Sequence, residues 1–371
     1  MIRKTEISRT EHTSFERWEI VNEDGKALSA STIGTVDSRF CGDYVKTVTI
    51  GGVGTPPEYR RGGKVREVFE TAFLEAPERG WEVSVLHPFS FSYYRKFGYE
   101  KVADHLIVEF PITALDFLPR YNDLVPINGD ELVPDMIKVY EKFAETRNIM
   151  LRRFDSEKFP TEPKKERYAY IYYNGSEPEG YLILGKESYF CINRMDGVYL
   201  HVYEIAYTNP DALRKLLGFI RMYDGEFNNV KFHNIAMAPE VEMVLRHYTH
   251  TKYTRVSDIM ARVLDVPMML MHQKYPMERG HFTVKVIDTL PFTNGAYEVE
   301  YENGKCAVKR ISDDATCDLE AAMPAFTALL YGYDEYTPDN IVYMHDVKLN
   351  NAGSDLFKVF HRKYNGVFEH F

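Results

Sequence analysis

Two short stretches carry residue types that could do chemistry together. At 53–66 the chain reads Val-Gly-Thr-Pro-Pro-Glu-Tyr-Arg-Arg-Gly-Gly-Lys-Val-Arg. Gly62 and Gly63 let backbone approach a ligand closely, and Arg60, Arg61 and Lys64 supply positive charge. A helix starting just beyond would aim its first amide N–H groups outward. That is a cradle for a pyrophosphate, built without the Walker pattern, since no Gly-x-x-x-x-Gly-Lys-Ser/Thr occurs. The same residues also suit a basic surface turn whose glycines serve geometry alone.

The second stretch, 90–99, reads Ser-Phe-Ser-Tyr-Tyr-Arg-Lys-Phe-Gly-Tyr and follows His87-Pro88. A tyrosine beside an anion site could protonate a departing thiolate, because a phenol's ordinary pKa of about 10 lies not far above a thiol's of about 8.5. Aromatics at this spacing equally suit a helix packed into a core. No His-Glu-x-x-His occurs, and His247 with His250 lacks further candidates nearby. Cys41, Cys191, Cys306 and Cys317 are scattered without a Cys-x-x-Cys pair, so reduced thiols and no metal are expected.

Elements that would position these residues follow from pattern. Strands flank the Asp24-Gly25 turn, the first of them at Trp18, and a β-branched run at 44–55 ends in glycines and Pro56-Pro57. Val65, Val68, Phe69, Ala72 and Phe73 make the stripe of an amphipathic helix, closed by Pro77 and Gly80. A buried strand at 81–86 and a short aromatic helix at 91–97 complete an α/β unit.

From 118 to 266 the pattern recurs. Asn174-Gly175 turns a hairpin, 202–207 is a strand, and Asn209 with Pro210 starts a helix over 212–223. Beyond 267, half-buried strands at 282–287, 297–301 and 306–311, with a turn at Asn303-Gly304 and a helix over 319–330, predict a third, α+β domain.

The two stretches together are similar to the GNAT acetyltransferases, specifically their enhanced-intracellular-survival (Eis) branch. The resemblance rests on the run from Pro57 to Val65, then His-Pro-Phe-Ser-x-Ser-Tyr-Tyr-Arg-Lys-Phe-Gly-Tyr from His87, and extends over most of the chain. It implies two tandem GNAT-like mixed-sheet domains, a catalytic one at 1–117 and a second without a cofactor site at 118–266. A sterol-carrier-protein-like α+β domain would follow at 267–371.

It implies acetyl-CoA as co-substrate, its pantetheine on the backbone of Val53 and Thr55 and its pyrophosphate on Arg60, Arg61, Gly62, Gly63 and Lys64. Tyr94, first of Tyr-x-x-Phe-Gly-Tyr, would be the general acid. His87 would lie in the acceptor pocket, and the terminal carboxylate of Phe371 would be the general base. Two departures are Val65, where the family's loop usually has a small residue, and the start of the chain. There the family has a strand and two helices, and no strand is expected here before Trp18.

Composition agrees with such a reading. The 371 residues hold 45 Lys+Arg against 55 Asp+Glu, a net charge of −10, with 44% hydrophobic and 27% charged residues. That is a globular chain long enough for two or three domains. An acidic protein repels phosphate backbones, so cationic small molecules or peptide amines are the expected partners rather than nucleic acid. Without an apolar run of spanning length, a cytoplasmic location and no membrane partner are expected. A homo-oligomer is expected by resemblance. A non-catalytic acyl-CoA or lipid-binding protein is the alternative function, and a purely structural role a third.

Overall fold

The computed structural model describes residues 1–129, 131–154, 167–186, 198–245, 249–334 and 336–369. The chain divides into two compact units, one formed by 1–103, 148–151 and 258–371, the other by 104–147 and 152–257.

The first unit begins with four antiparallel strands in sequence order, β1 (Ile2–Arg9), β2 (Ser14–Val21), β3 (Ala27–Phe40) and β4 (Asp43–Gly54). β4 then pairs in parallel with β5 (Val83–Leu86) through Thr47–Ile50 only. Parallel neighbours need a crossover. It is made by α1 (Lys64–Leu74) and α2 (Ala76–Arg79). Val68, Phe69, Ala72 and Phe73 of α1 are buried, the stripe read from sequence. They pack with Trp18, Val48, Ile50 and Leu86 on one face of the sheet.

Val45, Val83 and Val85 belong to a second core with the C-terminal segment. Two covered faces explain why 47–50 is buried at every residue. On its other edge β5 pairs antiparallel with residues 260–263.

β1 departs from the sequence reading, which placed no strand before Trp18. Its sequence, Ile-Arg-Lys-Thr-Glu-Ile-Ser-Arg, is exposed along nearly its whole length and has no apolar alternation to signal it. Pairing with β2 and side-chain contacts hold it instead, with Arg3 on Glu19 at 2.6 Å and the Lys4 ammonium 4.0 Å over the Trp18 ring.

The C-terminal segment forms its own sheet, ordered Lys305–Ile311, Gly295–Glu302, Gly280–Ile287, Leu319–Ala322, Val347–Leu349. Its Asn303-Gly304 turn has φ of 55° and 73°, as a tight hairpin requires. The expected helix over 319–330 is a strand for its first four residues, parallel to Gly280–Ile287. The helix starts at Met323, with Pro324 in its first turn where proline is favoured.

The second unit carries strands in the order 108–111, Asn229–Phe232, Tyr199–Tyr207, Glu177–Lys186, Arg167–Asn174, Val125–Pro126. Tyr199–Tyr207 is parallel to Asn229–Phe232, and the helix Pro210–Ile220 lies between them in sequence, again a strand, helix, strand unit.

Candidate active site

The site grows from a defect in pairing. On β4 an extra residue interrupts the ladder with β3: Thr32 faces Gly51 but Ala30 faces Gly54. The bulge falls directly after Ile50, the last residue bonded to β5, and Gly52 adopts φ +57° to make it. Beyond this point β4 and β5 separate, so residues 51–54 keep a ladder on the β3 side alone. The other edge of Val53 and Gly54 faces a cleft of about 740 Å³.

Val53, Gly54, Thr55, Tyr59, Arg60, Arg61, Gly63 and Lys64 line that cleft on one side. Arg60 Nε donates to the Thr55 carbonyl at 3.0 Å and tightens the loop. Arg61 and Gly63 both take positive φ, 65° and 72°. Gly63 stands at the N-cap of α1 and no side chain caps the helix, so the amides of the first turn point outward uncapped. A methyl at Gly63 would meet nothing within 4 Å, so glycine is favoured there by conformation and not by crowding.

The opposite side is aromatic. Phe89, Tyr93 and Phe97 line the cleft together with Lys96 and Arg66. Sequence reasoning missed these contributors, and only the i, i+4 spacing of Phe89, Tyr93 and Phe97 could have signalled them. Five cations therefore line one cleft. That fits a polyanionic ligand better than a neutral one.

Tyr94 lies one residue deeper, on α3 (Phe91–Arg95), whose first turn is capped by the Ser90 hydroxyl. Its ring is 3% exposed and packs among Phe69, Phe89, Tyr93 and Tyr99 at centroid distances of 5.2–6.3 Å. Burial, with Tyr93 beside it, pushes its pKa up to about 12. The phenol therefore stays protonated at neutral pH.

His87, just past β5, bonds through Nδ1 to Asp258 at 2.9 Å, a pairing no local pattern announced. Phe371 lies outside the described residues, as do Cys191 and His247. Cys41, Cys306 and Cys317 are free thiols.

In sequence, residues 5–102 match the family described as acetyltransferase (GNAT) domain, and residues 150–263 match a second family of the same description. The chain carries two GNAT acetyltransferase domains in tandem. It is thus an acyltransferase whose mixed-sheet α+β architecture agrees with the expected fold class.

No protein of curated function matches this GNAT acetyltransferase in sequence. Solved structures share the fold. A GCN5-related N-acetyltransferase from Anabaena variabilis superposes with a TM-score of 0.81 at 20% identity, covering 96% of this chain and 89% of that one. A probable N-acyltransferase from Enterococcus faecalis gives 0.78 at 16% identity over all of both chains. Eis1 from Mycobacterium abscessus gives 0.79 at 15%, covering 96% and 90%. Among the described residues no helix is long and apolar enough to cross a membrane.

Proposed function

We propose that the protein transfers the acetyl group of acetyl-CoA to an amine, with aminoglycoside-like polyamines or lysine side chains as acceptors. The observation that carries this reading is the fork of β4 and β5 with its uncapped helix N-terminus and five lining cations. The backbone of Val53 and Thr55 would hold the pantetheine arm, and Arg60, Arg61, Gly62, Gly63 and Lys64 the pyrophosphate. An acceptor bearing positive charge suits a chain of net charge −10.

In this scheme positioning does most of the work, since two held reactants replace a bimolecular encounter. Tyr94 hands its proton to the departing thiolate. Sulfur gains basicity only as the C–S bond breaks, so the proton moves to it as the bonding pair leaves carbon, giving CoA thiol and the Tyr94 phenolate, which is then reprotonated from solvent. His87, held by Asp258, would face the acceptor. The Phe371 carboxylate takes the base role by resemblance to the Eis branch. The same resemblance supplies the sterol-carrier-like assignment of 267–371 and a homo-oligomer, while the recurring sequence pattern supplies the domain limits 1–117 and 118–266, and the lack of a spanning apolar run the cytoplasmic site of action.

The test is CoA release from acetyl-CoA by N-terminally tagged protein with a panel of polyamines, aminoglycosides and lysine peptides. Acceptor-dependent release lost in Tyr94→Phe is the expected result. Absence of acetyl-CoA binding in calorimetry would reject the reading outright.

A further inference from the structure

The helix that carries Tyr94 is only five residues long, far too short to hold its own shape. Its N-terminal end is tied by Ser90. Its C-terminal end winds through Phe97, whose amide bonds to the Tyr94 carbonyl at 2.9 Å, into Gly98 at φ +84°. The Phe97 carbonyl is held from outside by Nη1 of Arg262. That guanidinium also fills the space a side chain at Gly98 would need, because a methyl there would overlap it. The Phe-Gly pair of the motif is therefore shaped around an arginine far away in sequence.

Arg262 is 2% exposed and lies 5.2 Å from the Phe73 ring. Its Nη2 bonds to Oδ2 of Asp288 at 2.6 Å, and that side chain is only 4% exposed. The Thr293 hydroxyl donates to the same oxygen, and the Asn294 side chain accepts the Asp288 amide at 3.1 Å. A closed pair of charges is an expensive way to fill a core. Apolar replacements of buried pairs are often neutral or stabilising, so a buried pair is weak support for stability as such. Its geometry, though, is rigid: one planar fork joins the turn after Tyr94 to the loop that follows Gly280–Ile287.

We propose that Arg262, anchored by Asp288, is a positioning residue that sets how deep the Tyr94 ring sits behind Phe89 and Tyr93 of the cleft wall, so that the C-terminal segment tunes the acid step. The proposal rests on Tyr94 being the acid. A lysine at 262 carries the charge but not the fork, and can reach the carbonyl or the carboxylate, not both with the same geometry.

The experiment is a double-mutant cycle of Arg262→Lys and Tyr94→Phe on the full chain. It follows CoA release from acetyl-CoA with the most active amine of a polyamine, aminoglycoside and lysine-peptide panel, or with water as acceptor if none is faster. The expected result is a kcat lowered roughly 10- to 100-fold by Arg262→Lys, with KM for acetyl-CoA within about twofold, the scale of a misplaced catalytic group.

In the Tyr94→Phe background the same change adds nothing further. The alkaline limb of the kcat profile moves down in Arg262→Lys, as a loosened phenol regains water. Should Arg262→Lys fail to fold, Arg262→Met with Asp288→Leu removes the pair without stranding a charge and is expected to lose kcat while keeping its unfolding midpoint.

Wild-type kcat in either folded variant overturns the positioning role, whatever Tyr94→Phe does. Additive losses in the cycle overturn it as well, because Arg262 then acts by another route. An inactive Arg262→Lys beside a fully active Tyr94→Phe overturns the acid assignment, and the role given to Arg262 with it.

Discussion

After the bulge of β4 the first unit continues with Val53 and Gly54, which line a cleft, and ends at an uncapped helix. The second unit repeats the bulge: Val202 faces Leu184 and Glu204 faces Ile183, leaving Tyr203 as the extra residue. It falls directly after Val202, the last residue bonded to Asn229–Phe232. Beyond it everything differs. Glu204 is buried and takes a bidentate pair from Arg153 at 2.7 and 3.0 Å together with the Tyr181 hydroxyl. Tyr207 bonds to Glu240 at 2.6 Å, tying the strand end to the helix Glu240–Val244.

The next helix in the second unit is closed too. Asn209 caps the Ala212 amide at 2.9 Å, Pro210 has no N–H to offer, and Asp211 puts negative charge in the first turn. The first fork thus borders a cleft beside uncapped helix amides, whereas at the second the strand end is occupied by the Arg153, Glu204 and Tyr181 cluster and the helix start by Asn209.

The largest effect that would break this comparison concerns the two tyrosines. Tyr94→Phe is expected to lower kcat by about 10²–10⁴-fold, the usual worth of general acid catalysis, and to leave acetyl-CoA affinity unchanged. Tyr207→Phe, at the end of the filled fork, should change kcat less than twofold. Steady-state kinetics of the pair decide it, and equal losses would mean the forks are not distinct in function.

Next in size is charge at the helix start. Lys64→Asp puts a carboxylate in the first turn, as Asp211 does in the second unit, and should weaken acetyl-CoA binding by roughly 100-fold, as loss of a charge-assisted bond plus a new repulsion implies. Calorimetry should return one site per chain in the wild type, and Asp211→Lys should not add another. A stoichiometry of two would undo the contrast.

Acid separates the units further. In the first, Glu82 and Asp43 flank His272 at 2.9 and 3.0 Å and raise its pKa, the bond to Glu82 counting most. Its contribution to stability is complete below the ordinary histidine value of about 6.5 and is lost as pH rises through the higher folded value.

In the second unit, burial and then the neighbouring His201, with Lys231, His105 and Arg167, lower His233 to about 4. His201 Nδ1 and His233 Nε2 are 2.7 Å apart, an arrangement that needs one of the two nitrogens unprotonated. Its contribution is complete above about 6.5 and falls away as pH drops toward about 4, on the order of 1–3 kcal/mol. Hydrogen exchange should therefore show the second unit losing protection first on acidification. His233→Phe should remove that difference, and simultaneous loss in both units would contradict it.

The smallest expected effects are at the two helix starts. Asn209→Ala removes a cap and should cost about 1 kcal/mol. Gly63→Ala meets no clash but must hold φ at +72°, and costs about 1 kcal/mol or slightly more. Only the second substitution should also alter acetyl-CoA affinity, which thermal unfolding with and without acetyl-CoA measures.

Much of this was legible in the sequence where local pattern is strong. The stripe of α1, the glycines before it, the Asn174-Gly175 and Asn303-Gly304 turns and the Asn209 cap all came out where expected. β1 was not legible, because a strand held by cross-strand ion pairs has no periodicity of its own. Nor was the strand Leu319–Ala322, whose apolar residues fit a helix start equally well. At the site, the loop cations were readable, whereas Asp258 beside His87 and Arg262 behind Tyr94 depend on contacts across more than 160 positions, which no window of sequence contains.

The pairing of β5 with residues 260–263 also bears on how the molecule is born. A ribosome releases Leu86 long before Met260, a delay of roughly ten to forty seconds at ordinary translation rates. Through that interval the nascent sheet of the first unit keeps an unzipped edge rich in valine, the kind of surface chaperones cover and aggregates exploit. A gene fragment stopping near residue 117 would make that transient state permanent. The first unit, built from 1–103, 148–151 and 258–371, is thus the first begun and the last finished.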